Sequence, residues 1–228
     1  MMSMASLAPW WLDRAATDLA LLPDPAWMRA SMALGWALVL GFLGATAMPR
    51  QRLVWRRTLA LLLALWALLP GPLSPTYWLG LAFHAPSLSA VLCCVWGLQR
   101  QLGPGVALPA RPVAAAPLWW AGAAVLLGYL LLLDTFAVLP VQLYAWGFST
   151  QALLLVLALV LLPWVVRGST ACGNLAPFWL LVPVLALLVF VLTRLPSGNV
   201  WDALLDPWLW LVLQVLLLRA AWRRLKAW

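Results

Sequence analysis

Seven strongly apolar segments alternate along the 228-residue chain with short polar connections, and this alternation constrains the fold more than any other feature. The segments cover residues 27–48, 54–69, 77–98, 118–139, 149–166, 175–193 and 207–221. A helix that crosses a bilayer needs about 20 mainly apolar residues, and most of these segments approach that length. The pattern predicts an all-α fold, a polytopic transmembrane bundle of about seven spans.

The overall composition favours a bilayer over water or nucleic acid as the environment of the chain. Hydrophobic residues make up 66% of it and charged residues 9%, whereas soluble domains have roughly 45–50% and about 25%. The net charge is +8, but the basic residues stand beside apolar segments, as the positive-inside rule describes. We therefore expect the lipid bilayer as a partner and no nucleic acid.

The charged residues fall on two opposite sides of the predicted bundle. With the N-terminus outside, the inner side holds eleven of the 14 basic residues: Arg50, Arg52, Arg56, Arg57, Arg100, Arg111, Arg167, Arg219, Arg223, Arg224 and Lys226. The outer side holds five of the six acidic residues: Asp13, Asp18, Asp24, Asp202 and Asp206. This distribution predicts an N-out, C-in orientation. Glu is absent and Arg greatly outnumbers Lys, which favours a GC-rich bacterial genome, and we therefore expect the membrane to be a bacterial inner membrane.

The first 26 residues form a unit distinct from the bundle of residues 27–228. Within them, residues 7–22 predict an amphipathic helix, because polar and apolar side chains separate at helical spacing. Its polar face carries Asp13, Arg14, Thr17 and Asp18. Such a helix lies in the headgroup plane on the outer side of the membrane.

Three polar side chains occur at a similar depth inside three predicted spans. At 1.5 Å per residue, Asp134 lies about 9 Å, and His84 and Gln214 about 10 Å, from the outer ends of their spans. Ionisable groups in a span are costly unless they are paired or hydrated. Two hypotheses follow: the residues hydrogen-bond to one another or to the backbone and lock helices together, or Asp134 and His84 relay protons or bind a cation.

A second group of candidates lies in the outer connection before the last span. Asp202 and Asp206 are four residues apart and share one face if the segment is helical. With Arg194 nearby, they are candidates for an outer-loop contact, a metal site or acid–base chemistry. The alternative is structural: Asn199 caps a short helix, Asp202 stabilises its first turn, and Asp206-Pro207 opens the last span.

The inner basic residues are candidates for contact with anionic lipid headgroups, although their role in setting topology also explains them. The candidates are Arg50, Arg52, Arg56, Arg57, Arg223, Arg224 and Lys226. The cysteines, Cys93, Cys94 and Cys172, do not form a disulfide framework, and we interpret them as packing residues. With a single histidine and no phosphate-binding or catalytic motif, the sequence predicts no cofactor and no metal.

Short connections leave no room for a soluble catalytic domain. The sequence therefore favours a non-catalytic membrane subunit that scaffolds or stabilises a larger complex of membrane proteins. One alternative is an ion- or proton-coupled transporter component that uses Asp134 and His84. Another is a membrane-embedded enzyme for lipid or polyprenyl substrates that uses Asp202, Asp206 and Arg194.

Overall fold

A computed structural model of the chain describes residues 22–49, 51–103, 118–167 and 178–226. These residues are mostly helical, and no strand occurs among them. In chain order the helices are α1 (Pro25–Ala47), α2 (Leu53–Ala67), α3 (Pro75–Phe83), α4 (Leu88–Leu102), α5 (Leu118–Thr135), α6 (Leu143–Trp146), α7 (Thr150–Arg167), α8 (Phe178–Thr193), α9 (Val200–Leu204) and α10 (Pro207–Leu225), with a short 3₁₀ turn, Gly71–Leu73, before α3. The predicted all-α class is confirmed for this part of the chain.

Each predicted apolar segment contains a helix, but few of these helices are both long enough and apolar enough for a membrane span. Two, α1 and α5, are long and apolar enough to cross a bilayer. Two others are apolar but shorter, Thr150–Leu162 within α7 and Leu180–Thr193 within α8. Because core helices and signal sequences also meet this criterion, the count of seven spans stays a prediction.

Several predicted features lie outside the described residues. The predicted amphipathic helix of residues 7–22 falls there except for Leu22. Arg50, Arg111 and Cys172 also fall outside. The division of the chain into residues 1–26 and 27–228 therefore stays a prediction.

Helix α1 is the element against which α2 and α4 pack. Gly41 of α1 faces Ala60, whereas Ala45, further along α1, contacts Arg56, which precedes Ala60 in α2, so α2 runs antiparallel to α1. A Cβ at Gly44 would lie 2.9 Å from Cδ1 of Leu63 and 3.2 Å from the carbonyl oxygen of Leu59. Glycine is thus required here because the two helices approach closely.

The third predicted segment is not one helix, and this corrects the sequence-based expectation. Helix α3 ends at Phe83, His84 adopts a positive φ of 59°, and α4 begins only at Leu88. Pro86 explains the interruption, because proline lacks an N–H group and disfavours helical geometry in the residue before it. The break fits against α1: a Cβ at Gly35 would lie 2.7 Å from Cγ of Pro86, and Trp36 Nε1 donates to the His84 carbonyl at 2.8 Å.

A second packed region joins α7, α8 and α9. Its buried members include Val156, Leu187, Phe190, Val200 and Trp201. Aromatic and branched side chains of this size dominate the energy of a helical core. This region fixes the position of α9 and of the polar residues that precede it.

Helices α5 and α10 form a peripheral antiparallel pair. Ala121 is the one buried residue of α5, and no described residue of α10 is buried except at its N-cap. Trp210 Nε1 donates to the Val125 carbonyl at 3.0 Å, and the Tyr129 hydroxyl donates to Gln214 Oε1 at 2.9 Å. Large apolar side chains of both helices are exposed, among them Trp119 and Leu126 of α5 and Leu211 and Leu218 of α10.

The packing of α1 on α2 predicts that a large side chain is tolerated poorly at Gly44 and well at Gly122, although both glycines are helical. Gly44→Leu should lower the free energy of unfolding by about 1–3 kcal/mol, because the new side chain must displace α2. Gly122→Leu is the matched control, since nothing lies within 4 Å of a Cβ at Gly122. Thermal unfolding of both variants in mild detergent gives the comparison, and equal destabilisation would show that α2 does not pack on Gly44.

Candidate functional site

Two of the sequence-predicted candidates, Asp134 and Asp202, belong to one hydrogen-bonded cluster. We call it the outer polar cluster; its members are Asp134, Tyr144, Ser197, Asn199 and Asp202. Asp134 lies in the last turn of α5 and accepts the backbone N–H of Tyr144 through Oδ2 at 2.7 Å. This bond joins the end of α5 to α6 across the intervening loop. Asp134 therefore satisfies a backbone group that would otherwise lack a partner.

Tyr144 connects this bond to Asp202. Its hydroxyl donates to Asp202 Oδ2 at 2.8 Å, and the Ser197 hydroxyl donates to the same oxygen at 2.5 Å. Hydrogen bonds to an ionised acceptor are shorter and stronger than neutral ones. One carboxylate oxygen thus joins α6, α9 and the turn before α9.

Asn199 completes the cluster from the N-terminus of α9. Its Oδ1 accepts the N–H of Trp201 at 3.0 Å, which caps the helix, and its Nδ2 donates to the Tyr144 carbonyl at 2.9 Å. Trp201 Nε1 donates to the Leu143 carbonyl at 2.9 Å. A Cβ at Gly147 would overlap Asn199 Oδ1 and the Trp201 ring, so glycine allows α6 to approach α9.

Asp206 lies outside the outer polar cluster, in a second site. It is buried, and its Oδ1 accepts the N–H of Leu209 at 2.7 Å as the N-cap of α10. Its Oδ2 accepts the N–H of Ser87, the N-cap of α4, at 2.7 Å. Asp206 therefore contacts two helix N-termini, where backbone dipoles favour a negative charge. The positions of Asn199 and Asp206 agree with the capping alternative for this segment.

The other predicted site residues have separate surroundings. His84 is exposed at the break between α3 and α4, and its imidazole makes no hydrogen bond to any described residue. Gln214 accepts from Tyr129, while its buried Nε2 has no partner among the described residues. Arg194 stacks on Phe190 with the guanidinium 5.3 Å from the ring centroid, and burial lowers the pKa of its side chain.

These positions separate residues that the sequence analysis grouped together. Asp134 hydrogen-bonds to the backbone of Tyr144, not to His84. No ion pair links Arg194 to Asp202 or Asp206, all three of which are described residues. A search of the described residues finds no group of three His, Cys, Asp or Glu side chains suited to a metal ion.

The basic residues predicted on the inner side also differ from one another. Arg56 is buried, and its guanidinium donates to the Ala45 carbonyl at 2.8 Å and to Gln101 Oε1. Arg57 donates to the Leu102 carbonyl at 2.7 Å. Both therefore bind the C-terminal ends of α1 or α4, where free carbonyls favour a cation. Arg52 is exposed at the start of α2.

The sequence analysis missed Tyr144, which connects the outer polar cluster. Burial raises its pKa above the ordinary range of tyrosine, and the charge of Asp202 and the hydrogen bond to it add to this shift. The available signal was that this tyrosine follows Asp134, the only acidic residue within a predicted span, by ten residues.

A scan against protein-family models and searches of curated proteins and of solved structures found no match for the chain.

The Tyr144–Asp202 hydrogen bond predicts that the Tyr144 hydroxyl loses its proton at an unusually high pH. Replacing Tyr144 by Phe should remove this titration. A pKa raised on folding means that the stabilisation is complete below about pH 10 and declines above it, as Tyr144 loses its proton. In a titration of tyrosinate absorbance, Tyr144→Phe should remove the component at highest pH and weaken the dependence of unfolding on alkaline pH.

Tyr77→Phe is the control for this titration, because Tyr77 is similarly exposed but its hydroxyl has no hydrogen-bond partner among the described residues. The component at highest pH should persist in Tyr77→Phe. Its loss there, or its persistence in Tyr144→Phe, would contradict the assignment to Tyr144.

Proposed function

We propose that the chain is an integral membrane protein of seven spans, N-out and C-in, in a bacterial inner membrane, and that it acts as a non-catalytic subunit of a larger membrane complex. One observation carries the proposal. The outer carboxylates bind groups of the chain itself: Asp134 and Asp206 accept backbone N–H groups, and Asp202 accepts two hydroxyls. Carboxylates whose oxygens are bound in this way stabilise the fold. The sequence contains no catalytic or phosphate-binding motif that would suggest another role.

The distribution of apolar surface supports a membrane location. Large hydrophobic side chains are exposed along most helices, among them Leu62 of α2, Leu126 of α5, Leu154 of α7 and Leu216 of α10. Soluble monomers rarely expose contiguous apolar patches larger than a few hundred Å². Lipid or the spans of other subunits would cover this surface without the cost of hydrating it.

The two alternative functions receive less support. A proton or ion pathway requires polar groups that continue across the membrane, but Asp134 binds the backbone of Tyr144 and the inner parts of the spans are mainly apolar. An enzyme that uses Asp202, Asp206 and Arg194 requires these residues to converge on a substrate. Instead, Asp202 and Asp206 bind different parts of the chain.

The orientation is testable by cysteine labelling. In a variant whose cysteines Cys93, Cys94 and Cys172 are replaced by serine, Leu73→Cys should react with a membrane-impermeant maleimide added to intact cells. Lys226→Cys should react only after the membrane is permeabilised, because the C-terminus is proposed to lie inside. Reaction of Lys226→Cys in intact cells would contradict the C-in orientation.

The subunit role is testable by purification at native expression in mild detergent. We expect a partner membrane protein to co-purify in stoichiometric amount with the tagged chain. Asp134→Asn should reduce the yield of this complex, because it weakens the attachment of α5 to α6, while the activity per assembled complex stays unchanged.

His84→Ala is the control for the transporter alternative, since the exposed imidazole makes no hydrogen bond to any described residue. It should leave both assembly and activity unchanged. Normal assembly with selective loss of ion or proton transport, in His84→Ala or Asp134→Asn, would contradict the subunit role and favour transport.

A further inference from the structure

The basic residues predicted on the inner side divide into two sets by what they contact. Arg56 and Arg57 donate to carbonyls and to an amide oxygen of the chain. Four others lie within the last turns of α10 and its C-cap: Arg219, Arg223, Arg224 and Lys226. Within the described residues, none of these four donates a side-chain hydrogen bond or forms an ion pair. Their charges therefore lack a counterion from the part of the chain that the structure describes.

This second set concentrates positive charge in a small region. All four side chains are exposed, and Lys226 stacks on Trp222 with Nζ 5.2 Å from the ring centroid. The C-terminal helix dipole favours cations here, but like charges three or four residues apart repel one another. An external anion that binds several of these groups would relieve the repulsion.

Two exposed surfaces at this end of α10 combine basic and apolar side chains. One is a face of α10 itself, formed by Leu218, Arg219, Trp222 and Arg223. The other is a shallow depression between α5 and α10, lined by Leu118, Leu217, Ala221, Arg224 and Leu225. A soluble anion would contact the arginines but leave the apolar side chains in water. A molecule with both an anionic and a hydrocarbon part satisfies both.

We infer that the C-terminal end of α10 binds an anionic phospholipid. Arg219 and Arg223 bind the phosphate of the headgroup, and an acyl chain lies along Leu218 and Trp222 on the same face of α10. Trp222 suits this position, because indole rings favour the boundary between headgroups and hydrocarbon. The inference rests on the proposed membrane location but not on the proposed partner subunit.

The test is a lipid titration of the purified, delipidated full chain in detergent, followed by native mass spectrometry. The probes are dioleoyl phosphatidylglycerol and dioleoyl phosphatidylcholine, which have the same acyl chains and differ in net charge. The unchanged chain should bind phosphatidylglycerol more tightly. Arg219→Gln/Arg223→Gln should weaken this binding by roughly tenfold to thirtyfold, since each basic residue contributes about fivefold.

The matched control is Arg29→Gln/Arg100→Gln, which removes the same charge from exposed residues outside these two surfaces. It should change the affinity for phosphatidylglycerol by less than about twofold, because binding at a site depends on the residues that contact the lipid. Thermal unfolding should be unchanged in both double variants, since exposed side chains without partners contribute little to stability.

Three results would overturn the inference. Equal weakening in the two double variants would show that net charge attracts the lipid without a site. Equal binding of the two lipids would show that the anionic headgroup is not recognised. Equally tight binding of glycerophosphoglycerol, the same headgroup without acyl chains, would show that the ligand is a soluble phosphate. Each result is independent of partner co-purification and cysteine labelling, so failure here is distinguishable from failure of the proposed function.

Discussion

The structure depends on how the backbone groups at helix ends find hydrogen-bond partners. A buried helix end leaves N–H or C=O groups without partners inside the helix, and each costs free energy if it stays unsatisfied. Here, polar side chains from other helices and turns satisfy these groups. Ser74 and Thr76 donate to the Ala67 carbonyl at the end of α2, Arg56 donates to the Ala45 carbonyl, and Asp206 accepts from the start of α4.

The need to satisfy backbone groups at helix ends also explains where the acidic candidates for a functional site lie. Asp134 and Asp202 lie where α5, α6 and α9 end or begin, and their oxygens bind the N–H or hydroxyl groups found there. Acidic side chains in an apolar chain attract attention as candidates for catalysis or transport. In the outer polar cluster, their hydrogen bonds are those expected of residues that hold helices and loops in place.

Local features of this fold were predictable from sequence, and contacts between distant segments were not. The caps at Asn199 and Asp206 follow from residue type and from the proline after Asp206, because capping involves only neighbouring residues. The break after Phe83 was missed although Pro86 signals it, since prolines also occur inside apolar helices, as Pro183 does in α8. The separation of Asp134 from His84 depends on the order of helices in the bundle, which hydropathy does not encode.

The bond between Asp206 and Ser87 has a consequence for how the chain is made. Its two residues are separated by 119 positions, and ribosomes add about 5–20 residues per second. The N-terminus of α4 therefore waits roughly 6–24 s after its synthesis before Asp206 emerges to accept its N–H group. Until then, water or the translocation machinery must satisfy that group, so α4 reaches its final position only after Asp206 has been synthesised. Helix α10 thus completes a contact that the first half of the chain cannot make alone.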